Sequence, residues 1–169
     1  NFMRDAKEAE IVLQGVYRST IEDGQYGYHL SILFNLGTDM EQAEGNSTEN
    51  YRIIPANAFP TTQSEVQTTW SSLYAGVYNA NDFLERISSK INTYSDTDRQ
   101  LATLYIAEAR ALRAMFYFEL VRRYGNIALM TNTEMSKQDP RTFVQVKPEK
   151  VYEFIEDDLL YASRILPYA

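Results

Sequence analysis

Residues 98–125, DRQLATLYIAEARALRAMFYFELVRRYG, contain no proline and no internal glycine and close on Tyr124 and Gly125. Such a run reads as one long helix ended by a glycine cap, because glycine turns left-handed without a Cβ clash. Wound at about 100° per residue, it puts Leu101, Leu104, Tyr105, Leu112, Met115 and Phe116 on one side. Ile106, Ala114, Tyr117 and Val121 fall on the other. A helix that is apolar on more than one side is packed between neighbours. The expected fold is therefore all-α, with this helix at its centre. Two carboxylates, Glu108 and Glu119, land in the main apolar arc and need a reason to be there.

The neighbours follow from periodicity and capping. Asp5 and Glu8 have capping-box spacing, and Phe2, Ala6, Ala9, Leu13, Val16 and Thr20 share a face, giving a first helix at about 4–20. Residues 26–40 read as a second helix or an extended wall, interrupted by Gly27 and Gly37. Residues 41–62 are polar and then proline-punctuated, a longer excursion than compact domains usually carry without a role. Ser64 and Gln67 form another cap pair ahead of a helix at 65–88, whose arc is Trp70, Leu73, Tyr74, Val77, Leu84 and Ile87 with Asn81 inside it. Gly76 in that helix marks close approach of a neighbour. The short connection 92–97 predicts an antiparallel hairpin with the central helix. After an apolar run at 126–130 and a loop at 131–147, Pro148 and Glu149 open a last helix. Its face is Val151, Phe154, Ile155, Leu159, Ala162, Ile165 and Leu166, with Asp158 among them. Only residues 51–54 hint at a strand.

A length of 169 residues suits one domain, 1–169. The net charge of -7 argues against a nucleic-acid backbone or anionic lipid as partner. No apolar run reaches the roughly 20 residues of a membrane span. Cysteine is absent and histidine occurs once, at His29, so thiolate and histidine-cluster metal sites are excluded, as is a Glu-x-x-His metal bundle. Neither a GxGxxG loop nor a Walker loop is present. No cofactor is expected.

An enzyme would have to rest on Glu108, Glu119 and Asp158, since paired acids do general acid and base work on glycosides. The stronger expectation is structural: acids on apolar helix faces persist when paired, and Arg110, Arg113, Arg122 and Arg123 are at hand. Glu119 has two of them at helical spacing. Asn81, Glu108, Arg113, Glu119 and Asp158 are thus read as polar pins between helices, Asp158 either pairing with Arg113 or capping a neighbouring backbone donor, and no residue is read as catalytic. Trp70 and the helical tyrosines read as hairpin packing. Tyr26, Tyr28, Tyr51 and Phe59 are uncommitted by periodicity, and loop aromatics stack on sugar rings or fill a partner's pocket. The Asn46-Ser47-Thr48 triplet reads as a polar loop that fits a glycosylation pattern by chance.

Three blocks carry a resemblance. Residues 70–87 read WSSLYAGVYNANDFLERI, residues 108–125 read EARALRAMFYFELVRRYG followed by NIAL, and residues 151–167 read VYEFIEDDLLYASRILP. The pattern of Trp70, Leu73, Tyr74 and Asn81, then Leu112, Arg113, Ala114, Tyr117, Phe118, Leu120, Tyr124 and Gly125, resembles the N-terminal part of the SusD/RagB family of surface glycan-binding lipoproteins. The opening LQGVY, Leu13 to Tyr17, resembles that family's first helix. The resemblance implies superhelical helix pairs of the tetratricopeptide type, with 65–88 and 98–125 as one repeat unit. It implies a non-enzymatic protein held on the outer membrane of Bacteroidetes by an N-terminal lipid. Such proteins capture oligosaccharides or other nutrients and pass them to a SusC-like TonB-dependent transporter. Their helical repeats face the transporter, and much of the nutrient site comes from loops and a later part of the chain. The alternative is a helical docking domain that contacts the transporter and binds no ligand itself. With neither signal peptide nor lipid-bearing cysteine, and about a third of the family's length, the chain reads as a trimmed piece of a longer protein. The matched residues are architectural and name no ligand contact.

Overall fold

The computed structural model describes residues 2–33, 60 and 62–167. Its helices are α1 (Ala6–Ser19), α2 (Ser64–Lys90), α3 (Asp96–Tyr124) and α4 (Pro148–Ile165), with a two-residue hairpin ladder of β1 (Ile127–Ala128) and β2 (Gln145–Val146). The chain divides into two compact units, residues 1–17 with 75–169 and residues 18–74. Each is described by itself.

In the larger unit, side-chain contacts give the helix directions. Gly76 of α2 meets Phe116 of α3 and Asn81 meets Arg113, so numbers rise on one helix as they fall on the other, and the pair is antiparallel. The same reasoning makes α4 antiparallel to α3, through Arg113 with Asp158 and Tyr117 with Phe154. Helix α1 runs parallel to α3, since Ala6 N–H donates to Asp98 and Tyr17 reaches Glu108. Helix α3 is thus covered by α1, α2 and α4. Ala102, Ala107, Ala109, Ala114, Phe116, Tyr117, Leu120 and Val121 are buried on it. The small residues let neighbouring helices approach, while the rings fill the space between them. Leu101, assigned by periodicity to the main arc, is instead exposed, and so are Phe2 and Leu159. An apolar arc drawn at fixed angle is wider than the strip a single neighbouring helix covers.

The ends of the helices have specific causes. Ser95 caps α3 by accepting the Asp98 N–H at 3.2 Å, and Gly125 closes it at φ +70° with its N–H on Val121 O. The Asp5 carboxylate accepts the Glu8 N–H at 2.9 Å, but the Glu8 carboxylate turns to the Arg4 N–H and guanidinium instead of completing the box on Asp5. Ser64 is the first residue of α2 rather than its cap, and its hydroxyl donates to Glu65. Two residues per strand are too short for alternation to betray, so the ladder pairing Ile127 with Val146 and Ala128 with Gln145 is not foreseeable from pattern.

In the smaller unit, residues 20–28 form successive turns and His29–Leu33 a single π-helical turn, where a helix or wall at 26–40 is expected from sequence; the remainder of that stretch lies outside the described residues. Close packing against α2 explains the turns. A Cβ on Gly24 would sit 2.2 Å from Ser72 Oγ and 2.8 Å from Thr68 O, so only glycine fits. Beside it, the fully buried Gln25 donates from Nε2 to Ser72 O at 2.7 Å.

Candidate functional site

The polar residues singled out in sequence separate into three groups. Asn81, Arg113 and Asp158 come together in the larger unit. Arg113 Nε and Nη2 donate to the two Asp158 oxygens at 2.8 and 2.9 Å, and Nη1 donates to Asn81 Oδ1 at 2.7 Å. The Asn81 amide donates onward to Met130 O at 2.9 Å, an acceptor shared with the Tyr117 hydroxyl at 2.6 Å. That hydroxyl in turn accepts the Met130 N–H at 2.8 Å. All three cluster residues are buried, and the Phe154 ring lies 4.7 Å from the guanidinium carbon. A bidentate charge pair with its remaining donor satisfied is the arrangement that makes a buried ion pair tolerable.

Glu119 stands apart, buried and bonded to Arg122 at 3.1 Å and to Arg123. Glu108 is only half-buried, on the α1 side of α3, where its carboxylate accepts the Tyr17 hydroxyl at 2.8 Å. Burial first and Glu108 second push the Tyr17 phenol up to about 12. A second phenol, Tyr105 of α3, is also raised above its ordinary pKa, by burial first and then by the charges of Glu10 on α1 and of Glu108. The Tyr17–Glu108 pair is not foreseeable from sequence, because nothing local says that α1 and α3 are partners.

Among the described residues no hydrogen bond or ion pair links any two of Glu108, Glu119 and Asp158. Asp158 has both oxygens held by a guanidinium, and an acid so engaged is a poor proton shuttle. No group of described residues is suited to hold a metal ion.

Of the four loop aromatics, Tyr26 and Tyr28 are described, and both are exposed, at 42% and 38%. They stand in the turns after α1, where Ser31 Oγ donates to Tyr26 O and the Tyr28 ring leans on His29, centroids 5.6 Å apart. The Ser31 bond holds the Tyr26 backbone rather than its ring, and both tyrosines keep part of their surface exposed. Tyr51 and Phe59 lie outside the described residues, as does the Asn46-Ser47-Thr48 triplet. The larger unit also has a cleft of about 250 Å³ between α1 and α2, lined by Ile11, Val12, Gly15, Val16, Asn79 and Asp82. It falls below the roughly 300 Å³ at which small-molecule sites begin.

With the geometry in place, likeness to known proteins becomes informative. Residues 4–169 match a SusD-like family described as "starch-binding associating with outer membrane". The chain belongs to the SusD/RagB family. A solved SusD homolog from Bacteroides thetaiotaomicron is 70% identical to this SusD-like chain and superposes with a TM-score of 0.96, over 99% of this chain and 31% of that one. A solved laminarin-binding SusD-like protein is 28% identical with a TM-score of 0.76, over 95% of this chain and 34% of its own. The SusD-like protein P25 of Formosa agariphila is 24% identical over 165 residues, which are 94% of this chain and 30% of that protein. The fold is accordingly the all-α, tetratricopeptide-type architecture of SusD-like proteins. The chain spans about a third of the length of these relatives. No described helix is long and apolar enough to cross a membrane.

Proposed function

We propose that the protein containing this chain captures glycan at the outer-membrane surface without chemically altering it, and delivers it to a SusC-like TonB-dependent transporter. The family match over residues 4–169 carries this reading. Tyr26 and Tyr28, with Tyr51 and Phe59, are the proposed sugar-stacking residues of this part of the protein. Asn81, Glu108, Arg113, Glu119 and Asp158 are proposed to hold helices together and to touch no ligand, in keeping with their engagement by partners of the same chain. Glycan binding is tested by titration calorimetry with starch-derived oligosaccharides and with laminarin. Taking ring stacking on a sugar as comparable to an aromatic pair, about 0.5–1.5 kcal/mol, Tyr26→Ala and Tyr28→Ala are each expected to weaken binding by up to about tenfold. Unchanged affinity in both variants would remove them from the site, and turnover of the polysaccharide lost in Glu108→Gln would replace the whole reading with catalysis.

A second reading, a helical docking domain that binds no ligand itself, is favoured by the small size of the α1/α2 cleft and by the third of the relatives' length that the chain spans. It expects no saturable glycan binding by residues 1–169 and capture by the longer protein.

A further inference from the structure

We propose that His29 is a proton-operated latch: neutral, it seats the 20–33 segment on α2, and on acidification that segment releases from the helix while the helices themselves persist. The seat is a set of close contacts within the smaller unit. Gly24 presses on Ser72 and Thr68, Gln25 donates to Ser72 O, and His29 Nδ1 lies 2.9 Å from Thr69 Oγ1. Both His29 and Thr69 are buried. The hydroxyl of Thr69 either donates or accepts, so protonation does not break that bond; it places a cation in a buried position, and desolvation sets its cost. Three influences favour the cation: the charge of Glu65, one turn before Thr69 on α2, the backbone carbonyl of Glu65, and the charge of Asp23 in the preceding turn. Burial outweighs them and leaves His29 below its ordinary value. The seat has little to spare, because Gln25 Oε1 is buried with no hydrogen-bond partner among the described residues.

The sign follows from proton uptake. A released histidine takes its proton near pH 6.5, whereas the seated ring takes it only at lower pH. The seat is therefore at full strength above about pH 6.5 and weakens as pH falls from there toward the seated value.

One histidine and one tryptophan make the test clean, since Trp70 adjoins Thr69 and packs on Tyr74 with ring centroids 4.9 Å apart. The imidazole of the 169-residue chain is titrated by NMR from about pH 8 to about pH 5, with Trp70 fluorescence and far-UV circular dichroism followed in parallel. The expected result is an imidazole midpoint below 6.5, a Trp70 change sharing that midpoint, and unchanged helicity. In His29→Gln the Trp70 change is expected to vanish. A flat Trp70 signal, a midpoint at or above 6.5, the same transition in His29→Gln, or loss of helicity along with it would each overturn the latch. Should His29→Gln not fold, coincidence of the two wild-type midpoints remains the deciding measurement.

Discussion

Asp158 has its neighbours on three segments: Arg113 bonds both its oxygens, Arg113 also bonds Asn81, and Asn81 bonds the backbone at Met130. Cutting the acid out leaves a guanidinium buried without its counter-charge. Breaking a buried pair from one side costs about 3–5 kcal/mol, and Asp158→Ala is expected to lose that much in urea unfolding; a loss under about 1 kcal/mol would show the pair is not held as described. Gly76 is a second decisive position. A Cβ there would come within 2.8 Å of three ring atoms of Phe116, itself fully buried. Overpacking of this kind costs about 1–3 kcal/mol, so Gly76→Ala is expected to destabilise by that amount although alanine is the better helix former. A gain in melting temperature would show that the ring has room to move.

At the scale of elements, all four helices were legible, with bounds close to those found. The central helix is expected at 98–125 and found at Asp96–Tyr124, because the absence of breakers and the terminal glycine are strictly local signals. Pro148 likewise marks the first residue of α4. The start of α3 was harder to place, since its cap, Ser95, precedes any apolar residue by several positions. Ser95→Ala is expected to cost about 1 kcal/mol, measured as a shift in thermal midpoint, and no shift would mean that Asp96 and Asp98 alone sustain the first turn. What stayed hidden depends on partners distant in sequence. Asn81 and Glu108 both look like polar groups on apolar faces, yet one is buried in a charged cluster and the other ties to a phenol near the surface. Spacing within a helix gives direction around its axis, not which helix stands opposite. The surroundings of Tyr26 and Tyr28 were not legible, because the turns around Gly24 and Gln25 are set by contacts with α2.

For the whole molecule the net charge of -7 matters more than any single pair. A neutral glycan has no net charge for that field to act on, whereas a sulfated or uronate-rich one is repelled at low salt. Binding of a neutral oligosaccharide is therefore expected to change less than about twofold between low and high salt, and binding of an acidic one to strengthen with salt. A neutral ligand whose affinity falls steeply with salt would point to a charged contact that the loop tyrosines do not supply.

Met130 is held through both of its backbone polar groups: its N–H donates to Tyr117, and its carbonyl accepts from Tyr117 and Asn81. At Gln145 β2 begins and returns to pair with β1, so the excursion between them leaves from and returns to fixed points. Doubling the length of such a tethered loop costs only about 0.6 kcal/mol. Within it Thr133 is tied to Glu85 of α2 through its N–H at 2.7 Å and its hydroxyl at 2.6 Å, so residues 134–144 are the place where evolution can lengthen, shorten or redecorate the surface without disturbing the helices, while a single inserted residue before Met130 would shift the clamp itself.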